Sequence, residues 1–203
     1  MSRDPCKVVL LGESGVGKTS IISQFIEQEF FDFQTSTTGA TFSTKTIKID
    51  KFNETLVLEI WDTAGQERFR SMSKIFYKEA SIAILVYDIT KQSSFSEIKE
   101  YWVDAVNQFA PEDVILGIAA NKSDLIENEE VNENDARKLA EDIQAVFMPT
   151  SAKDSNGIDE LFMELGEKYL ERKQKSIKED PQNGKKKLDN NNKGSNKKGN
   201  CCS

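Results

Sequence analysis

The sequence GESGVGKT at residues 12–19 decides the fold. It fits the pattern G-x-x-x-x-G-K-[S/T], in which the glycines let the backbone turn so that successive N–H groups point at phosphate oxygens. An apolar run at residues 6–11 predicts a strand before this loop, and residues 19–25 predict a helix after it. In such a loop we expect Lys18 to reach the β- and γ-phosphates and the Thr19 hydroxyl to ligate Mg²⁺.

Outward from this loop, short apolar runs alternate with amphipathic stretches up to about residue 172. Near-continuous apolar runs are typical of strands buried on both faces of a parallel sheet, whereas period-two alternation around a turn at residues 51–54 predicts a hairpin. Further strands are predicted at residues 41–49, 55–61, 81–87, 114–120 and 145–148, and further helices at residues 93–108, 132–142 and 157–172. The predicted fold is α/β, with a six-stranded, mostly parallel sheet, one antiparallel edge strand and helices on both faces. Ligands of such sheets lie outside the carboxyl ends of the strands.

The composition excludes several classes of protein. The chain has no histidine, which removes His metal sites and every His-based acid–base or nucleophilic mechanism. Its three cysteines, Cys6, Cys201 and Cys202, do not form a disulfide framework, because the last two are adjacent near the chain end. No secretory pattern is present at the N-terminus, and Ser2 stands where N-myristoylation needs glycine, so we expect a cytosolic chain.

Charge divides the chain into two parts. The net charge is −7, yet residues 173–203 contain nine lysines and three acidic residues, so the part before them is more acidic than the whole. An acidic body is a poor partner for nucleic acid, while a basic tail suits an anionic membrane surface. Residues 173–203 also hold few apolar side chains, which predicts disorder. We therefore expect a globular domain at residues 1–172 and a disordered basic tail at residues 173–203.

A second motif, WDTAGQE at residues 61–67, directly follows a predicted strand. An Asp at a strand end beside phosphate and Mg²⁺ is suited to hold the metal through a water, which is the role expected of Asp62. Gly65 can offer its backbone N–H to the γ-phosphate without a side chain in the way. Gln66 can orient the attacking water, since phosphoryl transfer needs positioning more than strong base chemistry.

The motifs NKSD at residues 121–124 and SAK at residues 151–153 follow the last two predicted strands. A carboxylate can accept hydrogen bonds from guanine N1–H and the N2 amino group together, so Asp124 would select guanine. Adenine lacks that pair of donors, and a buried polar group left unpaired rejects a ligand strongly. The Ala152 N–H could donate to guanine O6.

These four motifs, in this order, resemble the Ras superfamily of small GTPases over residues 6–172. The WDTAGQE motif, the segment at residues 33–42 and the terminal Cys-Cys-Ser are similar to the Rab branch, and in particular to its early-endosomal subgroup. The resemblance implies the G-domain form of the P-loop NTPase fold. It also implies a GTP/GDP switch that regulates vesicle-mediated, endosomal membrane trafficking and hydrolyses GTP slowly until a GTPase-activating protein (GAP) accelerates it.

The resemblance assigns roles to individual residues. Thr37 would ligate Mg²⁺ and sense the γ-phosphate, Phe30 would pack across the guanine face, and Lys122 would cover the opposite face. The catalytic set is Gln66, Lys18 and Thr37, and the Mg²⁺ set is Thr19, Thr37 and Asp62. The implied nucleotide-binding set is Gly12, Ser14, Gly15, Val16, Gly17, Lys18, Thr19, Ser20, Phe30, Thr37, Gly65, Asn121, Lys122, Asp124, Ser151, Ala152 and Lys153. Phe42, Trp61 and Phe76 match an exposed aromatic triad that contacts effectors, although the residues alone favour a core position for all three.

Two residues depart from the family pattern. Thr38 stands where Ile or Val usually follows the switch threonine, which could loosen the packing of switch I. Ser14 differs from the glycine of Ras proper, although Rab proteins often carry serine there.

The resemblance also implies partners and a location. Cys201 and Cys202 resemble the Rab site of double geranylgeranylation, and two lipid chains anchor a protein firmly where one does not. Implied partners are effectors of the GTP form, an exchange factor, a GAP, a GDP-dissociation inhibitor and the prenylation machinery, with the protein itself a monomer. The implied location is the cytoplasmic face of intracellular membranes, the early endosome in particular, with cycling through the cytosol.

Two other functions remain open at this point. A non-hydrolysing GTP-bound scaffold would share the motifs, and Gln66 argues against it. A metabolic P-loop kinase would need lids and an acceptor pocket, for which the sequence has little room, and it would leave Asp124 unexplained.

Overall fold

Strand β1, which leads into the glycine-rich loop, lies inside a six-stranded sheet of order β2-β3-β1-β4-β5-β6. The computed structural model describes residues 5–31, 37, 39–63 and 76–179. The strands are β1 (Cys6–Leu11), β2 (Ala40–Ile49), β3 (Glu54–Thr63), β4 (Ile82–Asp88), β5 (Ile115–Asn121) and β6 (Val146–Thr150). All six strands that the sequence predicts are confirmed.

The strand directions also follow the prediction. The pairs β1–β3, β1–β4, β4–β5 and β5–β6 are parallel, and only β2 runs antiparallel to its neighbour, β3. β2 and β3 form the predicted hairpin, joined by a short 3₁₀ turn, and β2 lies at the sheet edge. The parallel strands therefore end at one side of the sheet, where the loops that carry the motifs emerge.

Helices cover both faces of the sheet. They are α1 (Lys18–Glu27), α2 (Gln92–Glu97), α3 (Val103–Phe109), α4 (Glu133–Asp142) and α5 (Ile158–Glu179). Ile118 of β5 packs in an apolar cluster with Phe95 and Trp102, from the α2–α3 region. The preceding residue, Gly117, instead lies against Leu165 of α5. Because neighbouring strand residues point to opposite faces, α5 and the α2–α3 region lie on opposite sides of the sheet.

The predicted helix at residues 93–108 is interrupted. α2 and α3 are joined by a π-helical segment, Ile98–Trp102, which the regular spacing of apolar residues did not indicate. The predicted helix at residues 132–142 is confirmed as α4. The Asn132 side chain accepts a hydrogen bond from Asn134 N and so caps the start of this helix.

The chain divides into two compact units, Met1–Tyr169 and Leu170–Ser203. α5 continues to Glu179, so the predicted end of this helix at residue 172 is too early. Residues 173–179 consist mostly of Lys, Gln and Glu, which are good helix formers, and this propensity favours a longer helix although Ile177 is their single apolar residue. The remaining tail lies outside the described residues, and the division of the chain at residue 172 stays a prediction. No described helix is long and apolar enough to cross a membrane.

Candidate nucleotide-binding site

A pocket of about 390 Å³ opens beside the glycine-rich loop. Its lining comprises Ser14, Gly15, Gly17, Lys18, Thr19, Ser20, Phe30, Phe31, Thr37, Thr63, Asn121, Lys122, Asp124, Leu125, Ala152 and Lys153. The fold thus brings residues from all the described motifs into one cavity. Phe31, Thr63 and Leu125 are lining residues that the sequence analysis missed. Gly12, Val16 and Ser151 do not line the pocket, although each contacts residues that do.

Glycine is required at two positions of the loop by close contacts. A Cβ atom on Gly12 would lie 2.2 Å from the Val86 carbonyl oxygen, and one on Gly17 would lie 2.3 Å from Asn121 Nδ2. Both glycines also have positive φ angles, +149° and +98°. The loop is therefore held tightly against β4 and the end of β5.

The Lys18 side chain is 5% exposed and lies beneath the loop. Its Nζ donates hydrogen bonds to the carbonyl oxygens of Gly12 and Glu13, each at 2.8 Å. Burial lowers the pKa of Lys18 to about 8, although the carboxylates of Asp62 and Glu13 oppose that shift. Because burial disfavours the charged form of Lys18, a bound anion would stabilise that form. The predicted contact with phosphate would supply such an anion.

Three side-chain oxygens converge where the sequence predicts Mg²⁺. Thr19 Oγ1 lies 2.9 Å from Thr37 Oγ1 and donates to Asp62 Oδ2 at 2.7 Å, while Thr37 Oγ1 donates to the same oxygen at 3.3 Å. Asp62 Oδ1 is buried and has no hydrogen-bond partner among the described residues. Burial raises the pKa of Asp62, against the hydrogen bond from Thr19 and the charge of Lys18. Hydroxyl and carboxylate oxygens are the ligands that Mg²⁺ prefers, so the three residues fit this ion.

Asp124 is oriented by Ser151. Ser151 Oγ donates to Asp124 Oδ1 at 2.7 Å and accepts from Asp154 N at 3.0 Å. One carboxylate oxygen is thereby fixed by the protein, and Asp124 is held at the pocket wall beside Ala152 and Lys153. The SAK and NKSD loops are therefore in direct contact, and the predicted contacts of Asp124 and Ala152 with guanine stay predictions.

Asn121 braces the glycine-rich loop. Its Nδ2 donates to the Val16 carbonyl oxygen at 2.8 Å, and its Oδ1 accepts from Thr150 Oγ1 at 3.2 Å. Asn121 is 1% exposed, and it pairs directly with Thr150 in the β5–β6 register. The sequence analysis placed Asn121 in the site but missed Thr150, because their contact depends on how β5 and β6 align.

Lys122 is held by a carboxylate that the sequence analysis also missed. Lys122 Nζ lies 2.6 Å from Asp88 Oδ2, and Asp88 is buried at the end of β4. Burial alone would raise the pKa of Asp88, but the hydrogen bonds from Lys122 and Thr90 lower it below its ordinary value. The sequence does contain a signal for Asp88, because it is a carboxylate at the end of an otherwise apolar strand. This ion pair fixes the direction of the Lys122 stem along the pocket wall.

The predicted aromatic triad forms a continuous row. The ring centroids of Phe42 and Trp61 are 5.4 Å apart, and those of Trp61 and Phe76 are 5.5 Å apart. Phe42 is 59% exposed, whereas Trp61 and Phe76 are partly buried against the apolar cluster. The row is therefore exposed at Phe42 and packs against the core at Trp61 and Phe76.

Five of the predicted residues lie outside the described part of the chain. They are Thr38, Gly65, Gln66, Cys201 and Cys202. Their predicted roles stay predictions.

Comparison with known proteins agrees with this geometry. The Ras family profile matches residues 7–171. The chain is 47% identical to Ras-related protein Rab-22A of Homo sapiens over 159 residues, which cover 78% of this chain and 80% of that protein. It is 46% identical to Ras-related protein Rab-31 of Mus musculus over 156 residues (77% and 78%), and 42% identical to GTP-binding protein ypt5 of Schizosaccharomyces pombe over 163 residues (80% and 76%). The chain belongs to the Ras family and, within it, to the Rab branch of small GTPases, which bind guanine nucleotide, hydrolyse GTP and act in membrane trafficking.

Proposed function

We propose that this protein is a GTP/GDP switch in which Mg²⁺ and the γ-phosphate hold Thr37 in place. The observation that carries the proposal is the convergence of Thr37 with Thr19 and Asp62, within 2.7–3.3 Å of one another. Thr19 belongs to α1, Asp62 to the end of β3, and Thr37 to the segment between α1 and β2. Loss of a ligand that joins all three frees that segment from the other two elements.

Mg²⁺, when bound, would neutralise negative charge on the phosphate oxygens. We assign the Thr19 and Thr37 hydroxyls as its direct ligands and Asp62 as a ligand through a water. Lys18, beneath the loop, would contribute its positive charge to the same phosphates. Its ammonium is buried and, among the described residues, donates to the backbone carbonyls of Gly12 and Glu13, contacts that it could exchange for phosphate oxygens.

Base selection is proposed for Asp124, with Ser151 as its positioning partner. The hydrogen bond from Ser151 restricts the carboxylate to one orientation, which a guanine base with two adjacent donors can match. Phe30 and Lys122 both line the pocket, and they would cover the two faces of the base. Adenine offers an acceptor where guanine offers N1–H, so it would leave Asp124 unpaired.

We propose slow hydrolysis that a GAP accelerates. The cationic side chains in the described pocket lining are Lys18, Lys122 and Lys153, and the last two belong to the NKSD and SAK motifs, which are expected to contact the base. Within that lining no arginine is available to stabilise charge on the transferring phosphoryl group, so a partner would supply one. Gln66 would orient the attacking water.

Membrane attachment is proposed through Cys201 and Cys202, each carrying a geranylgeranyl chain. The lysines of the tail would add attraction to anionic lipid. The proposed location is the cytoplasmic face of the early endosome, with cycling through the cytosol by way of a GDP-dissociation inhibitor. The exposed end of the aromatic row at Phe42 would contribute to the effector surface, next to the segment that carries Thr37.

Hydrogen exchange tests the switch. Peptides covering residues 28–39 should exchange more slowly in protein loaded with a non-hydrolysable GTP analogue and Mg²⁺ than in GDP-loaded protein. Thr37→Ala should abolish this difference, while Thr37→Ser, which keeps the hydroxyl, should retain it. Equal exchange in the two nucleotide states of the wild type would contradict the switch.

Localisation tests the membrane part of the proposal. The tagged full-length protein should form puncta that overlap early-endosome markers, and the Cys201→Ser/Cys202→Ser double variant should be diffuse. Wild-type puncta on a different organelle would contradict the endosomal assignment alone. Identical distributions of the two proteins would contradict the dicysteine anchor.

A further inference from the structure

Asp88 lies where two neighbouring strands of the sheet reach the site. It is the last residue of β4 and pairs directly with Asn121, the last residue of β5. The Ile89 N–H donates to the Asn121 carbonyl oxygen at 3.1 Å, so the two chains stay joined just beyond their strands. The Asp88 carboxylate therefore lies beside the start of the NKSD loop.

Asp88 is held from several directions by the turn that follows β4. Its side chain is buried, and Oδ1 accepts hydrogen bonds from Thr90 N at 3.0 Å and from Thr90 Oγ1 at 2.7 Å. Its backbone N–H donates to Ser94 Oγ at 3.1 Å, and its carbonyl oxygen accepts from the same hydroxyl at 3.2 Å. The second carboxylate oxygen, Oδ2, contacts Lys122 Nζ at 2.6 Å. The carboxylate is thus a rigid anchor for the ammonium.

Lys122 is fixed at both ends of its side chain. Its backbone has a φ of +65°, which lies in the left-handed region that lysine rarely adopts, and its carbonyl oxygen accepts from Leu125 N at 2.8 Å. Its ammonium is held by Asp88, and the side chain lines the pocket while 32% exposed. A lysine side chain has many rotamers, and ordering such a side chain on binding costs free energy. With both ends held, the stem is ordered before a ligand arrives.

We propose that Asp88 is a positioning residue for retention of the guanine nucleotide and that it acts through Lys122. Because Asp88 holds the ammonium, the part of Lys122 that is offered to the base is the aliphatic stem rather than the charge. This inference rests on the proposed function, since it assumes that guanine nucleotide occupies the pocket.

The expected effect is on the dissociation rate of the nucleotide. Asp88→Asn should speed GDP release roughly tenfold, the size expected when one charge-assisted hydrogen bond is lost. The amide keeps the volume of the side chain and can still accept from Thr90, but it holds the ammonium more weakly. Single-turnover hydrolysis of GTP already bound should change less than about twofold. The described partners of Asp88 lie in the turn after β4 and in the NKSD loop, away from the phosphate-binding residues.

A double-mutant cycle separates this role from general destabilisation. Lys122→Met keeps most of the aliphatic stem but removes the ammonium that Asp88 holds. If Asp88 acts through Lys122, the double variant Asp88→Asn/Lys122→Met should release GDP no more than about twofold faster than Lys122→Met alone. Two independent effects on release would instead multiply.

The experiment measures release of a fluorescent GDP analogue from the full-length protein with Mg²⁺ present. Asp50→Asn is the matched control, because it makes the same change in an exposed ion pair, between Lys48 and Asp50 at 2.8 Å. Val106→Ala is the control for stability, because Val106 is 1% exposed in the core and is not among the described residues that line the pocket. Both controls should release the analogue at the wild-type rate.

The outcomes separate this inference from the proposed function. If wild-type protein does not bind GDP, the proposed function fails. If the wild type binds GDP but Asp88→Asn releases it at the wild-type rate, or if the two substitutions multiply in the double variant, the positioning role is overturned alone. Equally fast release from Val106→Ala, or a matching change in single-turnover hydrolysis, would also overturn it. Should Asp88→Asn not fold, Asp88→Ser replaces it, with faster release and the same dependence on Lys122 required.

Discussion

The side-chain amide of Asn121 donates to the main-chain carbonyl oxygen of Val16 at 2.8 Å, and this bond joins the end of β5 to the glycine-rich loop. The two residues are 105 positions apart in the chain. The bond connects the loop expected to bind phosphate with the loop expected to recognise the base. The two ends of the site therefore depend on one buried side chain.

Asn121→Ala should weaken both the fold and nucleotide binding. The substitution leaves the Val16 carbonyl and the Thr150 hydroxyl without their partner, and a buried polar group without a hydrogen bond costs about 1–3 kcal/mol. Urea unfolding should show a loss of this size, with a matching loss in GDP affinity by titration. Thr150→Val, which removes only the longer bond, should cost less. Wild-type stability and affinity in Asn121→Ala would contradict the bracing role.

Gly12 and Gly15 should differ sharply in their tolerance of alanine. A Cβ atom on Gly12 would lie 2.2 Å from the Val86 carbonyl oxygen, whereas one on Gly15 meets nothing within 4 Å. Gly15→Ala should therefore cost only the strain of a positive φ angle, roughly 1–2 kcal/mol in unfolding free energy. Gly12→Ala should cost more, because backbone must move. Equal unfolding free energies for the two variants would show that the contact with β4 is not what requires glycine.

Asp124→Asn should change the preferred base. An amide can donate to an oxygen at purine position 2, which xanthine has and guanine replaces with an amino group. We expect the variant to bind xanthosine diphosphate more tightly than GDP, by competition against a fluorescent nucleotide. Ser151→Ala, which removes only the orienting hydrogen bond to Asp124, should weaken GDP binding while keeping the preference for guanine. Unchanged preference in Asp124→Asn would place base recognition elsewhere.

The ion pair between Asp88 and Lys122 should make stability depend on pH in the acid range. Because the pKa of Asp88 is lower in the folded protein than in the unfolded chain, the ionised carboxylate stabilises the fold above its ordinary pKa. That contribution is lost as the pH falls through the folded value. The difference in unfolding free energy between wild type and Asp88→Asn should be constant near neutral pH and shrink below about pH 4. A difference that stays constant down to about pH 3 would contradict this contribution.

The sequence predicts the parts of this protein that depend on local pattern. β4 was expected at residues 81–87 and spans Ile82–Asp88, because an uninterrupted apolar run leaves few alternatives. The π-helical segment Ile98–Trp102 was missed, since the spacing of its apolar residues is compatible with an ordinary helix.

Contacts that depend on strand alignment were not predictable. Motifs identified Asn121 and Lys122, but their partners Thr150 and Asp88 follow from the register of β6 and β4 against β5.

The most direct test of the account is competition between guanine and adenine nucleotides for the wild-type protein. Purified full-length protein is loaded with a fluorescent GDP analogue in Mg²⁺, and GDP, GTP, ADP and ATP are titrated as competitors. If Asp124 and the glycine-rich loop form one guanine-nucleotide site, GDP and GTP should displace the analogue at concentrations about 10⁴-fold lower than ADP and ATP. Displacement by adenine nucleotides at similar concentrations would contradict that assignment of the pocket.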